Sequence, residues 1–212
     1  MRGLILYGAN CTLDVWDTLK CELAVHNITF VEYPHNITEK ANNVSDITNW
    51  IYATYGNEKF DFILGHSMGG IIGLELVADF ELRCDKVILI DSNLKPANNF
   101  YRNLMLPSNM ERYGEKIISM IKGEARYYSD SLKKALQEKF DYTDYIRKIN
   151  SKVYGIYGDR GQKYYANRIS DLCLDDDIVS KIDFRFVENS CHMPMVENHE
   201  ALADIIESIL VE

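Results

Sequence analysis

No stretch of this 212-residue chain comes near the ~20 consecutive apolar residues that cross a membrane. The opening residues, Met1-Arg2-Gly3-Leu4-Ile5-Leu6-Tyr7-Gly8, carry one positive charge and a short apolar run. That run falls short of the about 7–15 residues of a secretory signal, so it reads as the first strand of the fold. Basic tracts are also missing. The net charge is −9 and no Lys/Arg run is interleaved with aromatics, which argues against nucleic acid or an anionic membrane surface as main partner. Cysteine is sparse. Cys11, Cys21, Cys84, Cys173 and Cys191 are odd in number and hold no C-x-x-C pair. Neither a zinc site nor a disulfide framework is expected, and a reducing cytoplasm fits best. There is no internal repeat and no low-complexity segment. Matches to the glycosylation pattern, such as Asn10-Cys11-Thr12, are taken as chance in an Asn-rich chain.

What is present is an alternation of apolar strands and amphipathic helices. With 47% apolar and 26% charged residues, the chain is expected to form one soluble domain, residues 1–212. Strands are expected at Leu4–Tyr7, Ile28–Tyr33, Phe60–Leu64, Lys86–Ile90, Lys152–Tyr157 and Ile182–Val187. Between them, Trp16, Leu19 and Leu23 recur at helical spacing. So do Val44, Ile47 and Ile51, with Asn43 as cap, and Leu202, Ile205, Ile206 and Ile209 at the end. The fold class is therefore α/β, with a doubly wound, mostly parallel six-stranded sheet. Residues 95–150 break the alternation. They show helical patterns at Met110–Ile121, Ser129–Phe140 and Tyr142–Ile149, and are expected to form a mobile helical cap over the strand ends.

The chemistry concentrates at Gly65-His66-Ser67-Met68-Gly69, a G-x-S-x-G motif. An apolar strand leads into it and an apolar, glycine-tolerant helix leads out. On such a turn a serine hydroxyl projects above the sheet, and small neighbours prevent collisions. A serine hydroxyl needs a base, and the base needs an orienting carboxylate. His192 follows the last strand and Asp159 follows the fifth, so Ser67, Asp159 and His192 occur in the order Ser, Asp, His. Asp91, at the end of the fourth strand, is the rival acid. Asp159 is preferred on chain order and on its preceding Gly158. His26, His35, His66 and His199 are read as surface histidines. Oxyanion donors are expected at the amides of Met68 and of Ala9, in the loop opened by Gly8. Tyr101, Met105, Tyr127 and Tyr128 are candidate substrate-binding residues of the cap.

These motifs resemble those of small bacterial-type α/β-hydrolases. The resemblance runs from Leu4-Ile5-Leu6-Tyr7-Gly8 through Gly65-His66-Ser67-Met68-Gly69-Gly70 and Gly158-Asp159 to His192-Met193-Pro194 with its following Glu197. It implies a triad of Ser67, Asp159 and His192. Departures are equally visible. Tyr7-Gly8 stands where the family has His-Gly, Tyr33-Pro34-His35-Asn36 replaces its Asp-x-x-Gly-x-Gly loop, and the leading antiparallel hairpin is absent. The expected function is hydrolysis of a small-molecule ester or thioester with a small, mostly apolar acyl group, needing no cofactor and no metal. The alternatives are hydrolysis of an amide or C–C bond, and a non-catalytic binding protein on the same fold.

Overall fold

A computed structural model describes residues 1–138 and 140–212. In chain order the elements are β1 (Arg2–Leu6), α1 (Asp17–Glu22), β2 (Asn27–Phe30), α2 (His35–Thr38), α3 (Val44–Tyr55), β3 (Phe60–His66), α4 (Met68–Ala78) and β4 (Cys84–Ile90). Then come α5 (Pro107–Glu124), α6 (Asp130–Gln137), α7 (Thr143–Lys148), β5 (Lys152–Gly158), α8 (Asp176–Val179), β6 (Ile182–Val187), α9 (Pro194–Glu197) and α10 (His199–Val211). All six strands pair in parallel in one sheet of order β2-β1-β3-β4-β5-β6. The expected α/β class and six strands are observed. The expected helix Ser129–Phe140 includes position 139, which lies outside the described residues.

Central strands of a parallel sheet are covered on both faces and so read as continuous apolar runs. Phe62, Ile63 and Leu64 of β3 and Val87, Ile88 and Ile90 of β4 are fully buried. Successive strand residues point to opposite faces. Ile63 lies where a Cβ on Gly73 of α4 would meet it, whereas Phe62 packs edge-on against His26, whose Nε2 pairs with Glu207 of α10. Helices α3, α4 and α7 therefore cover one face, and α1 and α10 the other.

Local chemistry sets the helix ends. Asn43 accepts a hydrogen bond from Asp46 N at 3.2 Å and caps α3. Lys86, buried in β4, donates to the Ile209 and Leu210 carbonyls at 2.8 and 3.0 Å, placing a cation on the last turn of α10.

The sheet order has one functional consequence. The chain leaves β1 for β2 on one side and then crosses back to β3 on the other. The order reverses between β1 and β3, and such a switch point opens a crevice at the carboxyl ends of the strands. The loop after β1 and the turn after β3 both end there. The three helices of the 95–150 insertion have different neighbours. Helix α6 packs on α3, α7 packs on α4 and α8, and α5 reaches the segments around the Gly8 loop and α9. Among the described residues no helix is long and apolar enough to cross a membrane.

Candidate active site

Ser67 links β3 to α4 with φ 52° and ψ −119°, a conformation that costs a non-glycine residue on the order of 1–3 kcal/mol. The turn is enforced from several sides. A Cβ at Gly65 would strike the backbone of Gly69, and one at Gly69 would strike the Leu6 carbonyl. Ser67 N donates to Ile90 O at 2.9 Å, continuing the β3–β4 ladder to its last step. The helix behind Ser67 is therefore pressed onto the sheet, and the hydroxyl is carried on the strained residue itself.

His192 follows β6. Its N–H donates to Leu104 O at 3.1 Å, its carbonyl accepts from His66 Nε2 at 2.9 Å, and its Nδ1 lies 2.9 Å from Asp91 Oδ1. An ionised carboxylate only accepts, so Nδ1 carries a proton, and in the neutral ring the lone pair is on Nε2. Asp91, with φ 44°, is fully buried at the end of β4. Burial alone would raise its pKa. The Arg160 guanidinium and the His192 ring overcome that and hold the carboxyl well below the usual carboxylate range. Among the described residues no hydrogen bond joins Ser67 Oγ to His192, a contact that commonly tightens only with substrate bound.

The geometry brings Asp91 to His192 and does not bring Asp159, the acid expected from the sequence, to it. Asp159 Oδ1 accepts the N–H groups of Gly161 and Asn189, each at 2.8 Å, and its own N–H donates to Val187 O. The residue extends the β5–β6 pairing, and its carboxylate ties the two following loops together instead of meeting His192. A signal for Asp91 was present in the register. His66 pairs with Ile90 across β3 and β4, so the next residues, Ser67 and Asp91, end adjacent strands.

His66 is also corrected. It is buried, not a surface residue, and burial lowers its pKa to about 3. The neutral ring donates through Nε2 to the His192 carbonyl, and among the described residues its buried Nδ1 has no partner. It braces the His192 backbone. Burial pushes the neighbouring Cys191 thiol up to about 12, so no thiolate competes with the hydroxyl.

The loop after β1 lies against the nucleophile. A Cβ on Gly8 would come within 2.8 Å of His66 Nδ1 and 3.0 Å of Ser67 Cβ. Among the described residues the N–H groups of Ala9 and Met68 have no hydrogen-bond partner. The two departures from the family pattern explain each other here. Tyr33 N donates to the Tyr7 hydroxyl at 2.7 Å, and the Tyr33 hydroxyl donates to Tyr7 O at 3.0 Å. The loops after β1 and β2 thus clamp one another at the base of the Gly8 turn.

The candidate cap residues are mostly packed. Tyr128 is buried beside Tyr7, Tyr33 and Cys11. Tyr127 stacks on His35 with ring centroids 3.6 Å apart. Met105 is buried in the core next to Leu104, the residue that holds His192 N. Tyr101 is buried with the Arg160 guanidinium 4.5 Å from its ring. The expectation of a mobile cap meets two fastenings. Thr38 Oγ1 donates to Tyr127 O and Ser129 N to Thr38 O at one end. At the other, Glu197 accepts from Leu106 N, Asn109 Nδ2 and Cys191 N. That gives Glu197, which follows the His-Met-Pro run, a physical task. Arg160 was not singled out in the sequence, since a lone charge carries no pattern. Among the described residues no group of three or more His, Cys, Asp or Glu side chains could hold a metal ion.

No curated protein matches this sequence. Solved structures do. A bromoperoxidase from Bacillus anthracis superposes with a TM-score of 0.78 at 11% identity, covering 100% of this chain and 92% of that one. A thermophilic esterase from Thermogutta terrifontis gives 0.75 at 14%, covering 100% and 89%. The thioesterase domain from the curacin biosynthetic pathway gives 0.68 at 11%, covering 98% and 90%. At such identities the likeness is one of fold. The family model described as alpha/beta hydrolase fold matches residues 34–159, more than half of the chain and the span holding Ser67 and Asp91, and the protein belongs to that family.

Proposed function

We propose that this protein is a serine hydrolase acting on a carboxylic ester or thioester of a small, mostly apolar acyl group, with Ser67 as nucleophile, His192 as base and Asp91 as acid. The observation that carries the proposal is the Asp91–His192 contact at 2.9 Å one strand from a serine held at φ 52°. Ser67 Oγ attacks the carbonyl carbon while His192 Nε2 takes its proton. The amides of Met68 and Ala9 receive the oxyanion. The imidazolium, held by Asp91, protonates the leaving oxygen or sulfur as that bond breaks. His192 then deprotonates water, which attacks the acyl-enzyme and releases the acid, returning the proton to Ser67.

The acyl group is assigned to a cavity of about 160 Å³ whose lining includes the charged or polar Asp14, Asp17, Lys116 and His199 and does not include Ser67 or His192. Val15, just past the Gly8 loop, Met195 and Val196, just past His192, and Ile117 and Met120 of α5 line it. On this reading α5 is the part of the 95–150 cap that walls the acyl site. Five unpaired cysteines are in keeping with a reducing compartment. The test is labelling by a fluorophosphonate probe together with turnover of p-nitrophenyl esters and acyl thioesters of graded length. Labelling lost in Ser67→Ala, with turnover of short esters or thioesters, is the expected result. A folded wild-type protein that neither labels nor turns over any member of the panel would leave the binding-protein reading.

A further inference from the structure

Asp91 is not left to His192 alone. Arg160, in the turn after β5, donates from one terminal nitrogen to Asp91 Oδ1 and from the other to Oδ2, both at 2.7 Å. The same Oδ1 meets His192 Nδ1, and Oδ2 also accepts from Gly158 N at 3.1 Å. The guanidinium side chain is only 2% exposed. It is fixed in turn by the Gly158 carbonyl at 2.7 Å, by the Tyr101 ring at 4.5 Å and by its own N–H on Ser190 O at 2.8 Å. Arg160 adopts φ 55° to reach this place. Such a buried pair is weak evidence for stability, because desolvating both ions offsets much of their attraction. It does fix geometry, since a planar fork on a carboxylate leaves that carboxylate one orientation.

We propose that Arg160 is a positioning residue for the reaction: its fork sets the Asp91 carboxylate in the orientation that meets His192 Nδ1, and its positive charge lowers the pH range over which His192 works as a base. The proposal rests on the triad of Ser67, His192 and Asp91 proposed above. Protonated His192 faces a carboxylate already neutralised by Arg160, so the cluster would carry one net positive charge in a buried site. Without Arg160 the same proton would complete a neutral pair. The other groups around His192 do not supply a competing charge of that kind. His66 and the Cys191 thiol are neutral. Tyr157 and Tyr101, packed on the Asp91–Arg160 side, are phenols whose ionisation is pushed above its ordinary range by burial. Asp159 and Glu197 are engaged with backbone amides of the flanking loops.

The experiment follows the His192 ring through its titration by NMR, beside the pH profile of kcat/KM for p-nitrophenyl acetate. It compares wild type, Arg160→Gln, Arg160→Lys and Tyr101→Leu, each checked for folding by circular dichroism. In Arg160→Gln the His192 midpoint and the acidic limb should both move upward, because the positive charge on the far side of Asp91 is gone. Its kcat should fall about 10- to 100-fold with KM little changed. Arg160→Lys, keeping charge without the fork, should restore the midpoint but not kcat. Tyr101→Leu should give a smaller upward move, and it carries the test if the Arg160 variants fail to fold. A midpoint unmoved in the folded variants overturns the proposal. The NMR titration needs no turnover, so an inactive wild type with a shifting midpoint would fail the hydrolase reading and not the coupling.

Discussion

Asp91 and Asp159 end neighbouring strands of one sheet, and both are almost wholly buried. Their surroundings nevertheless differ in kind. Asp159 spends its carboxylate on two backbone N–H groups, which are fixed dipoles of loops. Asp91 meets a guanidinium and an imidazole, which are side chains that carry or acquire charge. A carboxylate satisfied by amides holds a loop. A carboxylate facing an imidazole can stabilise a proton that arrives during a reaction. Burial is common to both, so the partner decides the role.

The largest effect is expected one strand further over. Ser67→Ala should reduce ester turnover to background, on the order of 10⁶-fold, while circular dichroism stays that of wild type. Retention of more than a few per cent of turnover would remove Ser67 from the reaction and with it the meaning of the aspartate comparison. The comparison itself is tested by two matched substitutions. Asp91→Asn should cut kcat by about 10⁴-fold by favouring the wrong imidazole tautomer, and should cost stability, since it leaves Arg160 without its anion. Asp159→Asn should change kcat less than tenfold and cost about 1–3 kcal/mol in urea unfolding. Equal kinetic losses, or the larger one at Asp159, would restore Asp159 as the acid.

A pH measurement sharpens the contrast between charged and neutral partners. His66 has its folded-state pKa lowered to about 3, so the unfolded chain binds that proton first. Stability from this group is full above the ordinary histidine value of about 6.5 and is lost as pH falls toward 3, with a slope of at most ~1.4 kcal/mol per pH unit. Asp91 acts with the same sign but lower. Its depressed pKa contributes stability that is full above the ordinary carboxylate range and is lost only as pH drops through and below it. Urea unfolding between pH 7 and 3 should therefore show a first decline that flattens in His66→Gln. If the decline persists unchanged in that variant, His66 is not its source. The smallest effect is expected in the cavity under α5. Met120→Trp should fill it and shift preference toward shorter acyl chains by a few-fold in kcat/KM, with acetate esters unaffected. An unchanged profile would detach that cavity from the acyl group.

Much of this was legible before the chain folded. All six strands were read from their apolar runs; the four inner ones are buried on both faces and announce themselves by composition, while the edge strands β2 and β6 are largely half-buried. Strand ends were less exact. Tyr7 and Tyr33 were placed in strands but stand just beyond them, where their hydroxyls clamp the two loops. The helices of the insertion were legible from their periodicity, but their separate packing against α3, α4 and the Gly8 loop was not.

Sequence alone determined the serine and its turn. Gly65, Gly69 and the apolar segments around them impose a local steric solution that needs few distant residues. It also determined where His192 would stand, since every parallel strand delivers its next loop to the same edge. Only the tertiary structure decided which acid meets that histidine and that His66 is buried. Asp91, Arg160 and His192 come from three strand ends and 101 positions of separation. A preference between two strand-end aspartates depends on which way each carboxylate turns. That direction is set by sheet register and by the guanidinium and amides that the folded loops bring to each one.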